Sequence, residues 1–177
     1  MRKLTAALAA TLTLASLGVF AQAQLKIAVV DTMRVANECK EGKNIQAALK
    51  AFHDQKQAQI TAKETELKAL EEQVKDPKIS EDKKDDLRAK FNSKMYEYQA
   101  YAKAAQDEME ARSQKMQAEF QQKLAGVITQ YAQSKGLSLV LEKGICLYNA
   151  DTLDATSDVI AAMNQAYPGT STSAGGK

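Results

Sequence analysis

Histidine occurs once in this 177-residue chain, at His53, and cysteine and proline occur twice each. A lone imidazole gives a catalytic dyad or a histidine-rich metal site nothing to build on. No C-x-x-C pair is present, which argues against a reactive redox couple. Neither a G-x-x-x-x-G-K-[ST] phosphate loop nor a glycine-rich dinucleotide fingerprint occurs. Acidic residues alternate with lysines, as on solvated helix faces, so pairing any two as acid and base is arbitrary. The basic face or stripe of a nucleic-acid binder is missing too. Beyond the first twenty or so residues no apolar stretch could span a bilayer. Together these absences point away from an enzyme, a metal protein or a nucleic-acid binder, and no cofactor is expected.

What is present begins with an address. Arg2 and Lys3 precede an apolar run from Leu4 to Phe20, and Ala21-Gln22-Ala23 follows in a small-x-small pattern. Such a segment reads as a cleavable signal peptide over 1–23, cut between Ala23 and Gln24. The run is shorter than the ~20 residues of a spanning helix, and no cysteine follows it to take a lipid. The whole chain has 24 Lys+Arg against 22 Asp+Glu, and losing Arg2 and Lys3 leaves 22 of each. The mature product is expected to be exported, soluble and formally neutral.

From Gln24 the chain divides into body, arm, body and tail. Leu25 to Val30 is short and β-branched and reads as a strand, with Asp31 or Thr32 capping a short helix to about Cys39 that Gly42 breaks. These elements make the first piece of the body, 24–42. The arm is expected over 43–135. Apolar or long-stemmed residues recur in steps of three and four at Ile45, Leu49, Phe52, Lys56, Ile60, Lys63, Leu67, Leu70 and Val74, the pattern of an amphipathic helix. Asp76-Pro77 ends it. Ser80, with Glu81 and Asp82 behind it, opens a second helix to about Lys135. There Leu87, Tyr98, Met109, Phe120 and Tyr131 are spaced by eleven residues, and Phe91, Ala102, Ser113 and Leu124 form a parallel row. Eleven residues in three turns is 3.67 per turn, so the seam should run straight or gently right-handed. A turn of about four residues at 76–80 obliges the two helices to lie antiparallel.

Gly136 supplies a C-terminal stop, and Leu137 to Glu142 and Ile145 to Asn149 read as two strands. A final helix from about Thr156 completes the second piece of the body, 136–167. The Gly-, Ser- and Thr-rich tail 168–177 has little to bury. The expected fold is α+β, mostly α: a long antiparallel two-helix coiled-coil hairpin arm on a small β-rich body. So small a body buries too little alone, and oligomerisation through its strands is the natural remedy. In an exported chain Cys39 and Cys146 are expected to pair, within a subunit or between two; a bridge within one chain ties the roots of the arm together, which loop entropy favours by ~4–5 kcal/mol. Two buried free thiols are the alternative.

The order strand, short helix, long hairpin, strand pair and final helix resembles the Skp (OmpH-like) family of periplasmic chaperones for outer-membrane proteins. Lys26-Ile27-Ala28-Val29-Val30-Asp31 with Arg34-Val35 is similar to that family's first strand and helix, and Glu41-Gly42-Lys43 to its entry into the arm. Gly136 to Leu141, Leu147-Tyr148-Asn149-Ala150, and Leu153 to Ile160 resemble its closing strands and helix. The resemblance implies a periplasmic homotrimer whose arms surround a cavity, where unfolded outer-membrane β-barrel proteins are held without ATP. It also implies weak contact with membrane or lipopolysaccharide, which the near balance of acids and bases from Val74 to Lys90 disfavours. On such an arm Tyr98, Phe91, Met109 and Met116 belong to the seam. Tyr96 and Tyr101 fall beside or off it and are the candidates to face a client. His53 reads as an ordinary helix position. A structural scaffold or spacer of the cell envelope is the alternative function, and a lipid carrier a third.

Overall fold

The computed structural model describes residues 25–169. The expected signal segment, with its Ala23–Gln24 cleavage site, and most of the 168–177 tail lie outside the described residues.

Strand β1 (Ile27–Val30) leads into α1 (Thr32–Glu38), α2 (Lys40–Lys75), α3 (Glu81–Lys135), β2 (Leu139–Glu142) and α4 (Thr156–Ala166). β1 and β2 pair in parallel, from Ile27 opposite Leu139 to Val30 opposite Glu142. A parallel pair needs a long crossover, and here the crossover is the entire arm. Asp31 caps α1, its Oδ1 accepting from Arg34 N at 2.8 Å. Gly136 ends α3 in the left-handed region at φ 62, with Leu137 N donating to Ala132 O at 2.8 Å, the bond of a Schellman stop.

Two expectations about the body are corrected. Ile145–Asn149 is not a strand: the chain turns into a short 3-10 helix, Lys143–Ile145, and a second one at Asp151–Leu153. Glu142 explains the first turn, because its side chain accepts from Gly144 N and also from Thr32 N at 3.3 Å. The far edge of β1 takes a single bridge from Asp154 to Val29, and Ile145–Asn149 pairs with neither strand of the described sheet. Nor does Gly42 break the first helix. Cys39, in extended conformation, separates α1 from α2, and Gly42 lies inside the first turn of α2. Its role is proximity: a Cβ there would stand 1.8 Å from the carbonyl oxygen of Ala36. The two helices meet at an elbow that only glycine permits.

The core sits where the root of the arm enters the body. Val35, Cys39, Val159 and Met163 are fully buried, joined by Val30 from β1 and by Phe120, Leu124 and Val127 from α3. Thr156 is buried as well, and its hydroxyl accepts from Asp31 N at 2.9 Å, fastening α4 to the end of β1. Tyr131 donates to Asp158 at 2.8 Å on the opposite side of α4. Burial first, and the Asp158 carboxylate second, push the Tyr131 phenol up to about 12.

Helices α2 and α3 run back along each other from a turn at 76–80. Partners on α3 descend as those on α2 rise: Glu41 meets Lys123, Lys56 meets Glu108 and Glu66 meets Lys94. With 36 residues α2 extends roughly 54 Å, and with 55 residues α3 extends roughly 80 Å. The surplus of α3 passes the root and becomes part of the core. At the tip Asp76 Oδ1 accepts from Lys78 N at 2.8 Å, and Ser80 stands at the N-cap of α3. Every member of the eleven-residue row from Leu87 to Tyr131 lies on the covered face, with Phe120 fully within it.

Candidate functional site

An arm only two helices thick can cover one stripe on each helix, and the stripe here is thinly covered. On α2 the buried apolar side chains are Leu67 and Leu70, and on α3 they are Ala105, Phe120, Leu124 and Val127. Elsewhere along the seam apolar groups remain half-exposed in grooves. The mid-arm groove encloses about 510 Å³ over Ile60, Ala102, Ala105 and Met109, rimmed by His53, Gln57, Gln106 and Gln114. Near the tip Val74 and Phe91 floor a second groove of about 350 Å³ beside Arg88. On the opposite flank Phe52 and Met116 line a third, of about 580 Å³. Each combines an apolar floor with polar or charged edges.

Charge holds the middle of this seam. Lys56 Nζ lies 2.5 Å from a Glu108 oxygen and 5.2 and 5.5 Å from the ring centroids of Phe52 and Tyr101. The Glu108 hydrogen bond raises the Lys56 pKa against the desolvation that opposes it. Tyr98 donates to Glu64 at 2.9 Å, and that carboxylate pushes its phenol up. At the root Lys123 bonds Glu41, which raises the pKa of Lys123, and its ammonium rests 5.1 Å from the Tyr167 ring.

The two tyrosines expected to face a client part company. Tyr96 is 74% exposed on the outer surface of α3. Tyr101 is half-buried: its hydroxyl bonds Gln59, and Lys56 and Lys63 lie over its ring. It is therefore a tie between the helices and not a free surface ring. His53 is exposed beside Asp54, 3.4 Å away. Within the chain the two cysteines are free and not joined to each other. Cys39 ends α1 and accepts from Gly42 N at 3.3 Å. Cys146 follows Glu142, whose carboxylate meets the other end of α1 at Thr32. A whole helix separates the two positions.

A second surface lies on the body and has no counterpart in the sequence reading beyond a strand. Leu147 and Tyr148 are wholly or almost wholly exposed, and Ile145, Leu25, Leu139 and Leu153 are substantially so. Beside them Lys143 bonds Asp154 at 2.7 Å, and that bond, with support from Thr156, holds the Asp154 carboxyl down to about 2. Among the described residues no group of three or more His, Cys, Asp or Glu is arranged to hold a metal ion, and no helix is long and apolar enough to cross a membrane.

A solved structure from Caulobacter crescentus CB15, described as an outer membrane chaperone (OmpH-like), superimposes with a TM-score of 0.75 over 84% of this chain and 89% of that one. At 24% identity the likeness shows a common fold. No curated protein matches the chain. A family model for outer membrane protein (OmpH-like) matches residues 26–163, from the edge of β1 to the innermost methionine of α4. The chain belongs to the OmpH-like family.

Proposed function

We propose that this protein is a periplasmic, ATP-independent holdase that binds unfolded outer-membrane β-barrel proteins between helical arms and keeps them from aggregating. The observation that carries the reading is the incompletely covered seam of α2 and α3, with apolar floors open to solvent along the length of the arm. The solved relative described as an outer membrane chaperone supports the same reading. Unfolded barrel strands alternate apolar and polar side chains, which suits grooves with apolar floors and polar rims. Many weak contacts on several arms add up through effective concentration, and binding the unfolded chain alone suppresses its aggregation without folding it. Tyr96 is one such contact.

The arms are brought together by the body. Ile145, Leu147, Tyr148 and Leu153 form an apolar rim that a monomer leaves wet, and among the described residues the outer edge of β2 carries no strand. A homotrimer joined through this rim is the assembly proposed, with 1–23 removed on export. Light scattering from a diluted, denatured outer-membrane protein tests the function. Stoichiometric amounts of the mature chain should abolish the signal, and an undiminished signal would count against capture. The mass of the mature chain in solution tests the trimer separately.

A further inference from the structure

The chain leaves the body by a defined route. Pro168 follows α4 and cannot continue it, and it biases Tyr167 away from helix. Tyr167 packs against the core, with the Lys123 ammonium 5.1 Å from its ring centroid. Asn164 Oδ1 accepts from Lys40 N at 2.7 Å, which fixes the end of α4 on the first turn of α2. Gly169 then lies against α2 at φ 76, where a Cβ would stand 2.9 Å from Asn44 Nδ2 and 3.5 Å from Lys40 Cβ. The last described residue is held at the root of the arm.

Ahead of it lies a groove. Lys40, Asn44, Ala48 and Phe52 succeed one another every fourth residue along one edge of α2, and Phe52 lines the flank groove of about 580 Å³. On α3, Lys123 stands one turn from Glu119, and Glu119, Met116 and Glu108 carry the same groove towards the tip. Gly169 beside Asn44 and Tyr167 beside Lys123 thus mark its root end. Asn44 and Phe52 are about 12 Å apart along the helix. Residues 170–177, outside the described residues, reach ~26 Å when extended.

Their sequence suits the groove. Thr170, Thr172 and Ala174 alternate with Ser171 and Ser173. In an extended chain the first three share one side, of methyl groups, and the serines take the other. Phe52 and Met116 offer the methyl side an apolar floor, and Glu108, Arg112 and Glu119 offer the hydroxyls a charged edge. Methyl groups bury little area, so each contact is weak. A tether that begins at the end of the groove supplies an effective concentration of about 1 mM, and weak contacts then suffice.

We propose that residues 170–177 dock along the Phe52–Met116 groove of their own arm, as a resident strand-like occupant. That a client must displace it rests on the holdase reading. The docking itself does not, and it is tested without a client, so either can fail alone.

Methionine oxidation reads the docking, because a thioether reacts according to its exposure. Dilute hydrogen peroxide is applied to the full mature chain and to one ending at Gly169, and sulfoxide at each methionine is followed by peptide mass spectrometry. All helices and strands end before residue 170 among the described residues, so the shortened chain retains them. Met116 should oxidise about threefold faster in the shortened chain, as roughly two-thirds occupancy requires. Met109, in the groove on the opposite flank, should keep its rate. Gly169→Val, which disfavours φ 76 and crowds Asn44, should reproduce the acceleration in the full-length chain. Equal Met116 rates with and without the tail overturn the docking, as does acceleration of Met116 and Met109 together. A Met116 protected in both chains that becomes reactive on dilution assigns the groove to a second copy and overturns it as well.

Discussion

The body and the arm are made from similar residues and reach opposite solutions to burial. In the body four elements converge, and Val35, Cys39, Val159 and Met163 lose all contact with water. In the arm two helices share one face, and positions such as Met109 and Phe91, on the same regular spacing, stay half-covered. The spacing marks which face is apolar. How far that face is closed depends on how many elements arrive to cover it. Local stability should follow the same division, highest in the body and lower along the arm.

Truncation tests that division most severely. Met163→Ala empties a fully buried position of α4 in the body core and should cost about 3–4 kcal/mol, within the range for buried large-to-alanine changes. The same change at half-covered Met109 should cost about 1 kcal/mol or less. Urea denaturation measures both, and equal costs would abolish the distinction between the two regions. Gly42→Ala attacks their junction. Its Cβ meets backbone, the Ala36 carbonyl, which cannot rotate away as a side chain would. A loss of about 3 kcal/mol is expected, together with a changed angle between α1 and α2.

Within the arm, Leu70→Ala removes one of the two buried apolar groups of its distal half. A cost of about 2 kcal/mol should appear as faster amide exchange around 67–74 and 87–95, with protection around Met163 unaltered. Loss of protection in the body as well would mean that arm and body unfold as one unit.

Much of this division is legible in the sequence. The eleven-residue row, the stop at Asp76-Pro77 and the terminator at Gly136 fix the two long helices, because helix periodicity and breakers are local properties. The elbow at Cys39 is not legible locally. Gly42 looks like a breaker in isolation, and only the approach of Ala36 shows why glycine stands there. Ile145–Asn149 has the composition of a strand, but the Glu142 side chain and the Lys143 carbonyl, accepting from Gly144 N and Cys146 N, wind its start into a 3-10 turn that points it away from β2. The missing bridge within the chain is of the same kind: a count of cysteines says nothing of the helix between them. The three-and-four spacing marks Lys56 as a seam position, yet its rings and carboxylate come from residues up to 52 positions away.

Acid separates the regions more mildly. Asp154 is held down to about 2, from 3.8, chiefly by its hydrogen bond from Lys143. Its folded pKa lies below the unfolded one, so its stabilisation is complete above about pH 4 and is lost as pH falls through about 2. Allowing for partial solvation, about 1 kcal/mol should disappear. Asp154→Asn should remove that much at neutral pH and flatten the profile of the urea midpoint between pH 4 and 2. If the variant keeps the wild-type slope, the acid sensitivity of the body originates elsewhere.

The smallest effect belongs to the outer face of the arm, and its smallness is the point of the test. Lys50 and Asp54 approach to 2.6 Å with side chains 75% and 55% exposed. Lys103 and Asp107 pair at 3.1 Å in the same one-turn arrangement, equally wet. Water solvates each partner almost as well apart as together, and ordering two long side chains offsets most of the attraction. Lys50→Ala and Lys103→Ala should therefore each change stability by less than about 0.5 kcal/mol, and less again in high salt. Lys56 carries the same charge on the same helix but faces inward, its side chain only 19% exposed. A loss above about 1 kcal/mol at Lys50 would show that the outer face is structurally engaged, and the contrast between a closed body and an open arm would have to be redrawn along it.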